Sequence, residues 1–219
     1  KKRKRKKKHH YSGGDSGSGD DEGHYEGSKG SIIREQFEVI GQVGLGTFGR
    51  VLECWDRKEK RNVAIKVIRS IRKYTESAEI EADILRDVQA RSRARGVSPC
   101  VELFSSFMHL DRHFCLVFET LGRSLYDYLK KNDYRPFPAS FTRSCTKQIL
   151  GAVDFLAKMD LIHTDLKPEN ILAVDRAEIR VDNGFGQRVF VPATPTIKVI
   201  DLGGATYDNE HKSSTVNTR

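Results

Sequence analysis

The chain has 219 residues, 37% apolar and 31% charged, enough to bury one good core and a second smaller one. Its formal net charge of +8 comes from the eight basic residues Lys1 to Lys8, after which 30 basic residues balance 30 acidic ones. No stretch approaches the roughly 18 uninterrupted apolar residues of a membrane helix, and Cys54, Cys100, Cys115 and Cys145 lie too far apart for a C-x-x-C metal or redox pair.

Taken in chain order, Lys1 to Lys8 repel one another and carry nothing apolar to bury. Tyr11 to Gly30 is rich in Gly, Ser, Asp and His. Residues 1–30 are therefore expected to form a disordered arm and linker, with folding starting near Ile32. The basic run reads first as a nuclear-import signal, the alternative being a solubilising arm or one that binds nucleic acid nonspecifically through its charge.

Short β-rich runs follow at Phe37–Val43, Arg50–Trp55 and Asn62–Ile68, separated by Gly-rich or charged turns. A helix is expected over Tyr74–Ala90, then strands near Val101–Phe107 and Phe114–Glu119, giving five antiparallel strands and one helix. Beyond Gly122 the pattern turns helical, at Ser124–Lys131 and at Ser140–Met159 with Phe141, Cys145, Ile149, Val153 and Leu156 on one face. Ile171–Val174 and Ile197–Ile200 read as short strands. Between them Glu178–Val191 reads as a hairpin turning at Asp182-Asn183-Gly184. The fold class is α+β.

Four groups of residues carry chemistry. Gly44-Leu45-Gly46-Thr47-Phe48-Gly49-Arg50-Val51 lies between two expected strands, where a backbone without side chains folds closely over phosphates; alone it is equally a flexible hairpin turn. Around Val63-Ala64-Ile65-Lys66, the residues Val63, Ile65 and Val67 alternate along one face and place Lys66 on the other. On the wheel of Tyr74–Ala90 the buried stripe is Tyr74, Ser77, Ala78, Ile84, Leu85 and Val88, with Glu81 in its middle and Glu76, Glu79 and Asp83 on the wet face. A carboxylate buried there requires a cation, and Lys66 is the partner. Third, the loop His163-Thr164-Asp165-Leu166-Lys167-Pro168-Glu169-Asn170 offers Asp165 to orient the proton of an attacking hydroxyl. In the same loop Lys167 would neutralise charge on a transferring phosphoryl group, and Asn170 would bind a metal ion. Fourth, Asp201-Leu202-Gly203 puts a carboxylate at the end of an apolar strand, where it is the candidate to bind a magnesium ion.

In this order and spacing the four motifs resemble the protein-kinase signature set across Phe37 to Arg219. The string from His163 to Leu172, Asp201 to Tyr207, Tyr74 to Ala78 and Phe118 to Gly122 resemble the CDC-like (LAMMER) dual-specificity kinases of the CMGC group. The resemblance implies a five-stranded N-lobe with one helix (31–118), a hinge (119–122) and a mainly helical, incomplete C-lobe (123–219). It implies ATP and Mg2+ as cofactors, with Gly44, Leu45, Gly46, Gly49, Val51, Ala64, Lys66, Phe118, Glu119, Leu121, Asp127 and Leu172 around the nucleotide. Phe118 would be the gatekeeper and Asp127 a ribose contact. Asp165, Lys167, Lys66 and Glu81 would be catalytic, and Asn170 and Asp201 would hold the metal.

The resemblance further implies protein substrates, Arg/Ser-rich splicing proteins foremost, and a nuclear enzyme whose arm meets an import receptor. Thr164 and Leu202 stand where the kinase pattern has Arg and Phe. Because Thr cannot supply the positive charge with which Arg pairs a phosphate, activity is expected without phosphorylation of Ser213, Ser214 or Thr215. No Ala-Pro-Glu-like motif follows, so the chain is expected to be a fragment of an active kinase; a catalytically silent nucleotide-binding scaffold is the alternative.

Overall fold

The computed structural model describes residues 23–93, 96 and 98–208. The basic run Lys1–Lys8 and the hydroxyls of Ser213, Ser214, Thr215 and Thr218 lie outside these residues. Six strands, β1 (Ile32–Ile33), β2 (Phe37–Gly46), β3 (Gly49–Asp56), β4 (Arg61–Ile68), β5 (Leu103–His109) and β6 (His113–Phe118), form an antiparallel sheet in the order β1-β2-β3-β4-β6-β5. All five strands read from the sequence are present; β1 is added at the edge, where Ile33 pairs with Phe37.

The period-2 pattern of β4 divides the sheet into two faces. Val63, Ile65 and Val67 are fully buried and share a cluster with Leu52, Cys54 and Val117. Ala64, Lys66 and Ile68 fall on the other face, toward the helix α1 (Arg72–Arg93). That helix runs two to three residues further at each end than its apolar periodicity indicates. Its buried stripe also differs: Ser77 is exposed and bonds back to the carbonyl of Lys73 at 3.0 Å, while Ala82 and Gln89 are buried. Ser77 lies on the same i, i+4 row as Glu81 and Leu85, one turn nearer the start of the helix, where that row is no longer covered.

The linker expected to reach residue 30 is fastened from Gly23 onward. The Tyr25 ring sits edge-on against His109 and His113, with centroids 5.5 Å away in both cases. Ser70 N–H donates to the Gly23 carbonyl at 2.8 Å, and the Arg50 guanidinium donates to the carbonyls of Tyr25 and Gly27. One aromatic in a polar segment is buried here because strands far away in sequence supply its partners, which local composition does not reveal.

In the second half, α2 (Leu125–Lys131) begins with a capping box in which Ser124 and Asp127 satisfy each other's backbone N–H groups. The helix α3 (Ala139–Ala157) buries Phe141, Cys145, Ala152, Phe155 and Leu156. Val153, placed on the buried face by its periodicity, is 43% exposed; the burial shifts onto Ala152 and Phe155 as the helix passes from one core cluster to the next. Six short strands complete the described residues: β7 (Leu161–Ile162), β8 (Ile171–Ala173), β9 (Glu178–Asp182), β10 (Arg188–Pro192), β11 (Ile197–Val199) and β12 (Thr206–Tyr207). They pair as β9–β10, β8–β11 and β7–β12. The β9–β10 turn is wider than Asp182-Asn183-Gly184, since Asp182 pairs with Arg188 and Asn183 Oδ1 accepts from the N–H groups of Phe185 and Gln187. Asn132 docks this hairpin on α2 by bonding both the N–H and the C=O of Phe190. No helix among the described residues is long and apolar enough to cross a membrane.

Candidate active site

The α1-facing side of the sheet and the loops around β8 enclose a cleft of about 760 Å3. Val43, Gly44, Val51, Ala64 and Lys66 form its roof. Phe118, Glu119, Thr120 and Leu121 form the back where β6 leaves the sheet, and Asp127, Asn170, Leu172, Ile200 and Asp201 form the floor. An apolar slot between Ala64, Val51 and Leu172, ending in charged groups at Lys66 and Asp201, suits a flat ring joined to an anionic chain.

The Gly-rich turn is the β2–β3 hairpin, with Gly46 opposite Gly49. A Cβ on Gly49 would lie 2.2 Å from the Val67 carbonyl oxygen, so the close approach of β3 to β4 requires glycine there. Phe48 at the tip packs edge-on against Tyr74 of α1, 5.3 Å between centroids. Leu45 is 67% exposed and, like Gly46 and Gly49, does not line the cleft. The turn stands over the cleft mouth without filling it.

At the inner end, Lys66 Nζ lies 2.8 and 3.1 Å from the two carboxylate oxygens of Glu81 and 3.4 Å from Asp201 Oδ1. Glu81 is almost fully enclosed, with 4% side-chain exposure. Burial alone would lower the Lys66 pKa, but the two carboxylates outweigh it and hold the amine above its ordinary value, so it is an ammonium ion at neutral pH.

Asp165, Lys167 and Asn170 of the loop after β7 meet beside this cluster. Lys167 Nζ bonds Asp165 Oδ2 at 2.7 Å, and that hydrogen bond raises the Lys167 pKa. Asn170 Nδ2 donates to the Asp165 carbonyl at 2.9 Å and to its Oδ2 at 3.2 Å. With its nitrogen so committed, Asn170 offers its amide oxygen to a metal, and Asp201 offers a partly exposed carboxylate. Two hard oxygen donors on the floor of an anion-sized cleft fit Mg2+. Asp165 and Lys167 lie outside the cleft lining but are linked to it through Asn170.

The backbone at this junction is held in an uncommon conformation. Thr164 and Asp201 have φ of 66° and 64°, in the left-handed region that a β-branched residue rarely adopts. Neighbouring groups fix them in place. Thr164 Oγ1 donates to the Gly204 carbonyl at 2.7 Å, and His163 Nε2 donates to the Ile200 carbonyl at 3.0 Å while its Nδ1 accepts from Asp165 N–H. Ile200 N–H donates to the Asn170 carbonyl at 2.9 Å. Leu202 is fully buried, in one cluster with Leu85 and Val88 of α1 and Phe155 of α3. The loop after β7 and the turn after β11 are thus locked together and against α1.

A Gly-rich hairpin over a cleft, a lysine paired to a helix carboxylate and two loops of acid, amide and amine define the nucleotide side of a phosphotransferase. The protein kinase domain model matches residues 37–219, and the chain belongs to that family. Within it the similarity runs to the AFC and CDC-like (LAMMER) kinases. Serine/threonine-protein kinase AFC2 of Arabidopsis thaliana is 41% identical over 91% of this chain and 48% of that protein. Dual specificity protein kinase CLK1 of Mus musculus is 39% identical over 91% of this chain and 41% of that protein. A crystal structure of a kinase domain superposes with a TM-score of 0.79 at 39% identity, covering 90% of this chain and 59% of that one. The chain spans about half the length of the curated relatives it matches, or less.

Val43, Glu53, Val101 and Arg176, unmarked by any motif, also line the cleft. Lys198 is another such residue, its amine 2.5 Å from Glu119 Oε1 at the back. Glu53 was detectable in principle, being two residues beyond Val51 on the same face of β3. Arg176 lies in a loop with no periodicity to mark it.

Proposed function

We propose that this chain supplies the nucleotide site and catalytic loop of a protein kinase that transfers the γ-phosphate of ATP to Ser and Thr hydroxyls, and to Tyr. The Lys66–Glu81–Asp201 cluster at the inner end of the cleft carries this reading. Lys66, oriented by Glu81, would hold the α and β phosphates; Asp201 and Asn170 would hold Mg2+, which neutralises charge on the phosphates. Asp165 would orient the attacking hydroxyl, and Lys167, 2.7 Å from it, would offset the charge of the transferring group. A substrate hydroxyl reaches Asp165 from outside the nucleotide cleft, which agrees with its 44% side-chain exposure.

The names of the relatives support the Ser/Thr and dual-specificity assignment, and the CDC-like resemblance supports Arg/Ser-rich splicing proteins as substrates. A nuclear location follows from the same substrates, with Lys1–Lys8 as the contact for an import receptor. The test is phosphoryl transfer by the full-length protein to an Arg/Ser-repeat peptide with MgATP, beside a lysine-rich Ser peptide. Transfer to the Arg/Ser peptide is expected. Nucleotide binding without transfer to any protein substrate would favour a scaffold, and deletion of residues 1–8 without loss of nuclear accumulation would remove the import assignment.

A further inference from the structure

Roof and floor of the cleft are joined at the mouth by an ion pair that the phosphotransfer reading leaves unused. Glu53 stands on β3 between Gly41 of β2 and Ala64 of β4, on the cleft face it shares with Val51. Its carboxylate Oε1 is 2.5 Å from Arg176 Nη1, a residue of the loop that follows β8. The Glu53 side chain is 19% exposed and that of Arg176 52%, so the pair faces solvent on one side and the cleft on the other.

The loop that carries Arg176 is fixed. Val174 N–H donates to the Thr196 carbonyl at 2.9 Å, and Ala177 N–H to Asp175 Oδ1 at 2.8 Å. Gly122, where the chain leaves the back of the cleft, donates to the Ala173 carbonyl at 2.7 Å; a Cβ on it would lie 2.3 Å from the Asp175 carbonyl oxygen. Arg176 therefore reaches the roof from a base bound to the hinge segment, and breaking its bond to Glu53 frees the roof without disturbing that base.

Two other ion pairs span the region. Lys66–Asp201 lies at the inner end and joins groups that the phosphates and metal would recruit; Lys198–Glu119 lies at the back. Glu53–Arg176 is the pair at the opening, remote from the phosphate end, and nothing in the proposed reaction requires it to break while nucleotide is bound.

We propose that Glu53 and Arg176 form a latch across the cleft mouth that slows nucleotide exchange, both acting as positioning residues. This inference rests on the nucleotide-binding reading above. A half-exposed pair contributes modestly, so opening it accelerates release by about two- to fivefold.

Release of a fluorescent ADP analogue from the full-length protein, with Mg2+ and a chase of unlabelled ATP, tests it by stopped flow. Glu53→Gln and Arg176→Gln are each expected to raise the release rate about two- to fivefold. The charge-reversed double variant Glu53→Arg/Arg176→Glu is expected to return it to near the wild-type value, and high salt to move the wild type toward the single variants. Unchanged release in the single variants, or no recovery in the reversed pair, would overturn the latch. So would an effect confined to Arg176 variants, which would mean that the guanidinium touches the nucleotide itself. Failure of the wild type to bind nucleotide at all would strike the kinase reading first and the latch with it.

Discussion

Glu81 is the most enclosed carboxylate of the site and Lys66 is its cation, so removing either leaves a charge with no counterpart. Lys66→Met is expected to lower stability by about 3–5 kcal/mol, because it strands Glu81 in the core. It should reduce kcat/KM by about 10²–10³-fold, the usual cost of deleting one preorganised charge contact. Denaturant unfolding beside single-turnover transfer separates the two effects. The pH dependence of this pair has a definite sign. With the folded-state pKa of Lys66 raised, its contribution is complete below the ordinary value of 10.5 and is lost as pH climbs through the higher folded value. It stays constant through neutrality.

His109 behaves the opposite way. Burial, then the neighbouring His113, lowers its pKa below the ordinary 6.5. The folded state then binds fewer protons than the unfolded chain in that window, so stability is complete above about pH 6.5 and falls as pH drops through the folded value. The Tyr25 segment packed on this ring should loosen first. Unfolding midpoints at pH 7.5 and 5.5 should differ in the wild type and converge in His109→Phe. The pairing of Lys66 with Glu81 was legible in the sequence, since an acid on a buried helix stripe admits few partners. The histidine clamp was not, because Tyr25 and its two rings are more than 80 residues apart.

At the scale of elements, the position of α1 depends on contacts from two segments distant in sequence. Tyr207 of β12 donates its hydroxyl to Asp87 at 2.9 Å, and Arg91 bonds the Lys158 carbonyl at 3.1 Å, so the segment after Gly203 and the end of α3 both hold the helix that carries Glu81. Tyr207→Phe is expected to destabilise this arrangement by about 1 kcal/mol, with a lower kcat and little change in nucleotide affinity. Gly122→Ala is expected to cost about 1–3 kcal/mol, since its Cβ meets a backbone oxygen that cannot rotate away; thermal unfolding measures it. Thr164 ties the catalytic loop to Gly204 directly. A dephosphorylated full-length enzyme is therefore expected to keep its activity, and dependence on phosphate at Ser213, Ser214 or Thr215 would contradict that role.

At the scale of the whole molecule, the five strands along the chain and the two longer helices were readable because apolar period and turn chemistry agree over these stretches. Val153 was misplaced where the burial of α3 changes from one cluster to another, and Ser77 where the first turns of α1 are not yet covered. The single-face wheel assumes one partner surface along the full helix, whereas α3 meets two. The cysteines follow from the same packing. All four are free and buried, and burial raises Cys54, Cys100 and Cys115 to about 12 and Cys145 to about 11, so no thiolate forms at neutral pH. A thiol reagent is expected to modify none of them until the protein unfolds.

The joining of these elements around one ammonium and its two carboxylates is what would make the cleft a phosphate site, and calorimetric titration of the full-length protein with ATP addresses it directly. Binding is expected to tighten with Mg2+ in the wild type, to lose that dependence in Asp201→Asn, and to weaken in Lys66→Met whether or not the metal is present. Equal ATP affinity in all three proteins, unaffected by Mg2+, would contradict the account.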